Sequence, residues 1–265
     1  MSNLTESIID NISKLTEKRP MFLHFDAIGL LYLGSSNESR LESFSNILSE
    51  IAMRGGNVIV PAFSYSFCKG ESFNVQHSPT SLGKSHEYLR LNNYTRRTSD
   101  GIFSYLIFGN HSVFDKHMSK INHQDCFGET SLLSEILQLD GLIGSIGGVI
   151  QSTTEIHHIE KKLQVQYRYD KVFRGEIITS DGNIYEQEVI FFCRDLDFYK
   201  KTLLGSDLSR LYQDLESDHK VHELNVDNEF ILEYVAYSDI YDMTKSGILS
   251  NPHYLLAKRS DMYTG

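Results

Sequence analysis

The sequence predicts an α/β fold with three layers, in which helices cover both faces of a mainly parallel central sheet and an antiparallel hairpin annex follows. Two observations predict it. Short apolar segments alternate with helical patterns up to residue 164, and period-two alternation then flanks an Asp-Gly turn at 180–183. No linker interrupts the 265 residues. We therefore expect one domain, with a core at 20–175 and a variable, substrate-side annex at 176–265.

The first elements form a βαβ unit. Apolar residues at helical spacing predict a helix over 5–18, and the run 21–26 is typical of a buried strand. Ser36 is placed to cap a helix over 38–53, and residues 57–63 form the next strand. A strand, a helix and a strand in this order predict a parallel pair joined by a right-handed crossover.

The remaining elements follow the same reasoning. A loop as long as 64–80 is usually functional in a compact domain. Thr130 is expected to cap one later helix, and Thr153 or Thr154 another. The sequence predicts helices at 81–91, after Thr130, at 153–164 and near 197–215, and strands at 104–109, 141–146, 171–179, 184–192 and near 219–225, with a mixed segment near 229–246.

Composition limits the classes of partner. The net charge of -10 argues against a nucleic-acid or anionic-membrane binder, and it suits either an amine-bearing ligand or solubility alone. Three widely spaced cysteines fit a reducing compartment. The N-terminus lacks the pattern of a signal peptide, and no apolar run is long enough to span a bilayer. We expect a cytoplasmic protein that acts on a small molecule, with a homo-oligomer left open.

One pattern with catalytic potential is the His157–Glu160 pair in the segment 151–164. Residues three apart on a helix share a face, and a carboxylate beside an imidazole orients it and makes it a better base. A solvated surface pair explains the same spacing. A metal site would need a further ligand, and no recognisable metal spacing supplies one. His158 faces another side of the helix.

Two loops are further candidates. Helix N–H groups near Ser36 could receive a phosphate, although the glycine-rich dinucleotide and P-loop patterns are absent. Arg96 and Arg97 could meet a phosphate or simply lie on the surface. Glu71, beside Tyr65 in the long loop, could hold a substrate ammonium group or could be a solvated acid.

Five segments in order resemble the aminoglycoside 3-N-acetyltransferase family. They cover about residues 20 to 175, over half the chain. They are MFLHFDAIGLLYLG, GGNVIVPAFSYSFCKGESFN with SPTSLG, RRTSDGIFSYLIFG, CFGETSLLSEILQLDGLIGSIGG and TTEIHHIE. Each motif is modest alone, but five in family order with sensible spacing are specific.

The resemblance implies an acetyl-CoA-dependent N-acetyltransferase that works by direct transfer. It places the general base at His157, oriented by Glu160 or by a later acid such as Asp195. It implies a substrate side at Tyr65, Glu71 and Asp100. The positions that fall where the family binds CoA are Asp26, Ala27, Ile28, Gly29, Ser78, Ser81, Gly83, Arg97 and Ser104.

Departures from the family motifs bear on the substrate. Asp26 and Ala27 replace serines of the opening loop, Ala62 replaces a threonine, and Asp100–Gly101 replaces a His-Pro pair. We therefore expect an amino-sugar acceptor, nucleotide-linked or destined for a surface polysaccharide. The alternatives are an aminoglycoside 3-N-acetyltransferase that confers resistance and a non-catalytic CoA-binding relative. An acyl-cysteine intermediate is disfavoured because none of the three cysteines lies in the His157 motif.

Overall fold

The computed structural model describes residues 3–119, 124–148 and 153–258. Its helices and strands follow the chain as α1 (Asn3–Thr16), β1 (Met21–Phe25), α2 (Asn37–Met53), β2 (Val58–Pro61), β3 (Phe73–Asn74), α3 (Lys84–Asn92), β4 (Tyr105–Phe108), α4 (Asp115–Ser119), α5 (Leu132–Gln138), β5 (Leu142–Ile146), α6 (Ile156–Lys162), β6 (Arg168–Ile178), β7 (Ile184–Arg194), α7 (Leu196–Thr202), β8 (Leu204–Ser206), α8 (Ser209–Ser217), β9 (His222–Val226), β10 (Phe230–Ala236), α9 (Tyr237–Ser250) and β11 (Leu256–Lys258). None of the helices described is long and apolar enough to cross a bilayer.

The central sheet has six strands in the order β4-β2-β1-β5-β10-β9. Its middle strands β2, β1 and β5 are parallel, as predicted, and the outer strands are antiparallel to their neighbours. The predicted cap of α2 is confirmed, since Ser36 and Ser39 form a capping box. Because parallel strands end at one edge, the loops after β1 and β5 meet there.

Side chains of β1 alternate between two cores, as a strand covered on both faces requires. Met21, Leu23 and Phe25 pack with α1 and α2, whereas Phe22 packs with α5, α6 and α9 on the opposite face. This arrangement confirms the three-layer α/β/α fold. The same alternation places His24 on the Phe22 face, where it reaches the start of α6.

A second sheet, β3-β6-β7, carries the predicted hairpin. Strands β6 and β7 pair antiparallel from Arg168↔Arg194 to Ile178↔Ile184, and Gly182 takes a positive φ of 82° in the turn between them. The long loop 64–80 is partly ordered, because β3 forms inside it and pairs with β6.

The C-terminal region departs from the prediction of an annex. Strands β9 and β10 join the central sheet through β5, so residues after 220 complete the core. The helix predicted at 197–215 is two helices, α7 and α8, separated by β8, which pairs with β11. Residues 259–265 of the predicted annex lie outside the described chain.

Two predicted helix caps are wrong. Ser131, not Thr130, caps α5, since its hydroxyl accepts from Ser134 N. Helix α6 begins at Ile156 after Glu155, and neither Thr153 nor Thr154 is its N-cap. Thr153 instead donates to the Glu155 carboxylate.

Candidate active site

In the His157–Glu160 pair, an imidazole that borders a pocket contacts a buried carboxylate. Helix α6 places the two residues one turn apart, with His157 Nδ1 2.6 Å from Glu160 Oε2. The His157 side chain is 22% exposed and that of Glu160 only 3%. The pair is therefore not the solvated surface pair that its spacing alone allowed.

Arg168, the first residue of β6, completes this pair. Its Nε lies 2.7 Å from Glu160 Oε2, its Nη2 lies 3.2 Å from His157 Nε2, and its Nη1 donates to Phe192 O. A carboxylate only accepts hydrogen bonds and a guanidinium only donates them. Glu160 therefore accepts from Nδ1–H of His157, and Arg168 Nη2 donates to the lone pair on Nε2. These two contacts of His157 select its neutral form with the proton on Nδ1.

The electrostatics agree with this assignment. Burial lowers the pKa of His157, the Glu160 carboxylate raises it, and the charges of Arg168 and Arg194 lower it, so the net pKa falls below 6.5. Burial raises the pKa of Glu160, but the hydrogen bond from His157 and the charge of Arg168 more than offset it, so the pKa is lowered. A neutral imidazole oriented by an ionised carboxylate is the arrangement of a general base.

His157 opens into a pocket of about 480 Å³, a size typical of small-molecule sites. The charged side chains that line it within the described residues, His157 apart, are all basic. The lining comprises Tyr65, Phe103, Thr154, His157, Arg168, Tyr169, Lys171, Phe191, Cys193, Arg194 and Leu196. Tyr65 holds a positive φ of 54°, an uncommon conformation that often marks functional loops.

A second His–Glu pair lies at the carboxyl end of β1. His24 Nε2 is 2.8 Å from Glu155 Oε2, with His24 22% exposed and Glu155 fully buried. Thr153 donates to the same carboxylate oxygen, and Tyr237 donates to Glu155 O. Burial alone would lower the pKa of His24, but the Glu155 charge and hydrogen bond raise it above 6.5.

The loop after β1, residues 26–29, uses its backbone N–H groups internally instead of presenting them to an anion. Asp26 Oδ1 accepts from the backbone N–H groups of Ile28 and Gly29 at 2.8 and 2.9 Å. Gly29 packs directly on Gly147, where an added Cβ would lie 2.6 Å from backbone atoms. Ala27 is exposed. The N–H groups that a phosphate would use are therefore already bound, and the Asp26 carboxylate would repel it.

Arg97 and Ser104 are structural rather than exposed phosphate ligands, contrary to the expectation. Arg97 is buried and donates to Ser104 Oγ, to Ala62 O and to the carbonyls of Val75 and Ser78. The Ser104 hydroxyl donates to Ala62 O. This guanidinium ties the 75–78 loop to Ala62, the residue directly after β2, and is bonded within the protein.

The Ser78–Gly83 segment has two parts. Ser78 Oγ accepts from Asn74 N and so stabilises the loop. Ser81 and Gly83 are exposed just before α3 begins, and Lys69 Nζ lies 3.3 Å from Ser81 Oγ. Ser36, the other helix start considered, uses its hydroxyl within its own capping box.

Of the three predicted substrate residues, one lines the His157 pocket and two do not. Tyr65 lines the His157 pocket, but Glu71 is an exposed loop acid that does not line it. Asp100 is buried, accepts from the N–H groups of Ile102 and Phe103, and lines a separate internal cavity of about 20 Å³. Neither carboxylate is placed to hold an ammonium group at His157.

Asp195 does not orient His157, because its Oδ1 caps α7 by accepting from Asp197 N and Phe198 N. Of the two acids considered, Glu160 makes the contact. Burial raises the pKa of Cys68 to about 11 and that of Cys193 above 9.0, so both thiols stay protonated at neutral pH. This disfavours an acyl-cysteine route further.

Sequence reasoning missed the residues that complete both pairs and the pocket. Arg168, Lys171 and Arg194 lie in the hairpin strands. Lys171 lay within a predicted strand and the two arginines just outside the predicted bounds, and the alternating pattern marked none of the three as functional. His24 was visible as a polar residue at the end of a predicted parallel strand, the edge where ligand sites form. Glu155 lies inside the TTEIHHIE segment, but nothing in its spacing marked it.

Comparisons with known proteins agree with the fold. The family model described as aminoglycoside 3-N-acetyltransferase matches residues 31–245. No curated protein matches the chain.

Similar solved structures include aminoglycoside acetyltransferase AAC(3)-Xa, with 15% identity and a TM-score of 0.67 over 95% of this chain and 93% of that one. AAC-IIIb with CoASH has 15% identity and a TM-score of 0.64 over 93% and 96%. YokD from Bacillus subtilis has 16% identity and a TM-score of 0.62 over 93% of each chain. At these identities the likeness is one of fold.

Proposed function

Because this chain belongs to the aminoglycoside 3-N-acetyltransferase family, we propose that it transfers the acetyl group of acetyl-CoA to a sugar amine, with His157 as the general base. The observation that carries the proposal is the neutral imidazole held between Glu160 and Arg168 at the wall of a pocket. Family membership supports the acetyltransferase activity, and this geometry supports the role of His157.

The fit to coenzyme A is partial. Asp26 does not suit a phosphate, and Arg97 and Ser104 are buried in structural bonds. The start of α3 at Gly83 suits one better, because it is exposed and lies near Lys69, whereas the Ser81 hydroxyl already donates to Ser64 O. We assign the phosphate end of CoA to this edge. When bound, acetyl-CoA would supply an activated thioester carbonyl. The solved AAC-IIIb structure contains CoASH, which supports the choice of cofactor.

The chain's own residues explain how an amine would be activated. Glu160 holds Nδ1–H, so the lone pair of His157 lies on Nε2. An incoming ammonium group displaces Arg168 Nη2 from Nε2, while Arg168 Nε stays on Glu160. His157 then takes the proton, and the imidazolium is stabilised by Glu160.

Two acceptors remain. The family description, and neighbours solved with apramycin or sisomicin, support an aminoglycoside over the polysaccharide precursor that the sequence predicts. The basic lining of the His157 pocket favours the second candidate, an amino sugar that carries an anionic group.

The test measures release of CoA thiol with a panel of aminoglycosides and amino sugars. We expect His157→Gln to lower kcat by about 10²- to 10⁴-fold and to leave CoA affinity unchanged by calorimetry. His77→Gln, an exposed histidine outside the pocket, is the matched control. Near wild-type turnover in His157→Gln would refute the base assignment, and absence of CoA binding by the wild type would refute the activity itself.

A further inference from the structure

We propose that the acceptor carries a phosphate or carboxylate beside its amine, and that Lys171 and Arg194 bind this anion. The inference rests on the proposed function, because it concerns the same pocket. It names a chemical class of acceptor, an anionic amino sugar, in place of a polycationic one.

Lys171 and Arg194 lie on the hairpin strands that form one wall of the His157 pocket. Both side chains are exposed. Lys171 Nζ lies 4.9 Å from the ring centre of Phe173, and the Arg194 guanidinium lies 5.2 Å from that of Tyr199. Aromatic contacts of this kind position a cation and leave its N–H donors available.

These two cations differ from the lysines on the neighbouring helix α6. Lys161 contacts Asp125 and Asp170, and Lys162 contacts Glu129. In the described chain, neither Lys171 nor Arg194 has an acidic side chain within 4 Å.

In a chain with a net charge of -10, the His157 pocket is therefore lined by two cations that have no acidic partner among the residues described. The pocket is arranged to attract negative charge.

The charge of the pocket discriminates between acceptors. A polycationic aminoglycoside would meet Lys171 and Arg194 with like charge, which is unfavourable. A phosphate or carboxylate would form charge-assisted hydrogen bonds with Lys171 and Arg194. Neither Glu71 nor Asp100 faces this pocket to offset the repulsion of a cationic acceptor.

The phosphates of CoA itself are a second possible source of this anion. In CoA the long pantetheine arm separates the thioester from the phosphates. Lys171 and Arg194 line the same pocket as His157. An anion bound there would share the pocket with the reacting amine, whereas the CoA phosphates would lie beyond the pantetheine arm.

The test first uses inorganic phosphate, because the acceptor is unidentified. We titrate phosphate into the whole protein and follow the His157 ring signals by NMR. We expect phosphate to shift these signals, and the Lys171→Gln/Arg194→Gln double variant to weaken that binding about tenfold or more. Lys162→Gln, a cation outside the pocket, should bind phosphate like the wild type. No shift in the wild type, or equal binding by the double variant, would overturn the proposal.

A second set of measurements separates the acceptor from CoA as the source of the anion. It also separates the failure of this inference from the failure of the proposed function. CoA affinity should be equal in wild type and double variant, and a parallel loss would assign the cations to CoA instead. With glucosamine 6-phosphate, glucosamine and a kanamycin-type aminoglycoside as acceptors, we expect the double variant to lose activity only on the phosphorylated sugar. Transfer to the aminoglycoside alone, unchanged in the variant, would overturn this inference and leave the proposed function standing. Phosphate binding by a protein that does not bind CoA would overturn the proposed function and leave the anion site standing.

Discussion

The two His–Glu pairs of this molecule are nearly identical in composition and opposite in electrostatic outcome. His24 and His157 are each 22% exposed, and each contacts a carboxylate that is at least 97% buried. The pKa of His24 is raised and that of His157 is lowered. Burial lowers the pKa of both imidazoles and their carboxylates raise it, whereas the charges of Arg168 and Arg194 lower that of His157 alone. We attribute the difference to these charges, and foremost to Arg168, which shares Glu160 and donates to His157, while Glu155 has Thr153 as its second donor.

A carboxylate beside a histidine therefore does not by itself make that histidine a base. Glu155 favours the charged form of His24, and the contact between the two side chains ties β1 to the start of α6. With Glu160 and a competing guanidinium, His157 stays neutral and able to take a proton. We infer that one pair is an anchor and the other a reactive centre.

The largest expected effect comes from exchanging each carboxylate for its amide. Glu160→Gln should lower kcat about a hundredfold or more, because the neutral amide no longer fixes the tautomer of His157 or stabilises its charged form. Glu155→Gln, the same change in the anchor pair, should leave kcat within about tenfold. Steady-state kinetics on both variants makes the comparison. Equal losses would show that the two pairs act as one unit.

The next largest effect is on the free energy of unfolding, where we expect the change at His24 to cost more than the change at His157. His24→Gln leaves the buried Glu155 carboxylate without its imidazole partner and should cost about 3 kcal/mol of unfolding free energy. His157→Gln should cost less, because Arg168 still pairs with Glu160. Urea denaturation of both variants at one pH gives the two values. A larger loss in His157→Gln would reverse the assigned roles.

Arg168→Gln tests the residue that separates the two pairs. Without the guanidinium, His157 would resemble His24, and its pKa should rise. At pH 7 the neutral fraction, and with it kcat/KM, should fall about tenfold and should recover as the pH is raised. Arg168→Lys keeps the charge and should stay closer to the wild type at pH 7. A loss in Arg168→Gln that does not depend on pH would mean that Arg168 acts only in packing.

The smallest effect is the pH dependence of stability. A raised folded-state pKa at His24 stabilises the protein below pH 6.5, and this contribution is lost as the pH rises through the folded pKa. The lowered pKa of His157 acts in the opposite direction and destabilises the protein as the pH falls below 6.5.

The stability difference between wild type and His24→Gln should therefore shrink by about 1 kcal/mol between pH 6 and 8, and that for His157→Gln should move oppositely. Urea denaturation at both pH values measures this. The same trend in both variants would contradict the opposed pKa shifts.

The sequence predicted the central sheet well because local patterns determine it. The segment 21–63 has the helix cap, the apolar periodicities and the strand order of a βαβ unit, and the structure follows them. The strand predicted near 219–225 is present as β9, but its place in the central sheet escaped prediction. It joins the sheet through β10, which is antiparallel to β5 and about ninety residues away, a pairing that no local pattern specifies. His157 and Glu160 were found because a helix brings them together at a fixed spacing.

Arg168, His24 and Glu155 depend on contacts between elements, so their spacing in sequence carries no signal. Arg97 is the converse case. A basic pair in a loop is consistent with a phosphate site, but burial and four protein acceptors make Arg97 a structural residue. Identifying the side chain was possible from the sequence, and identifying its partners was not.

An NMR titration of the two imidazoles, assigned with His24→Gln and His157→Gln, measures the opposed pKa shifts themselves. We expect His24 to titrate above pH 6.5 and His157 below it, and Arg168→Gln to raise the midpoint of His157 toward that of His24. A His157 midpoint above 6.5 in the wild type, or one that Arg168→Gln leaves unchanged, would contradict these expectations.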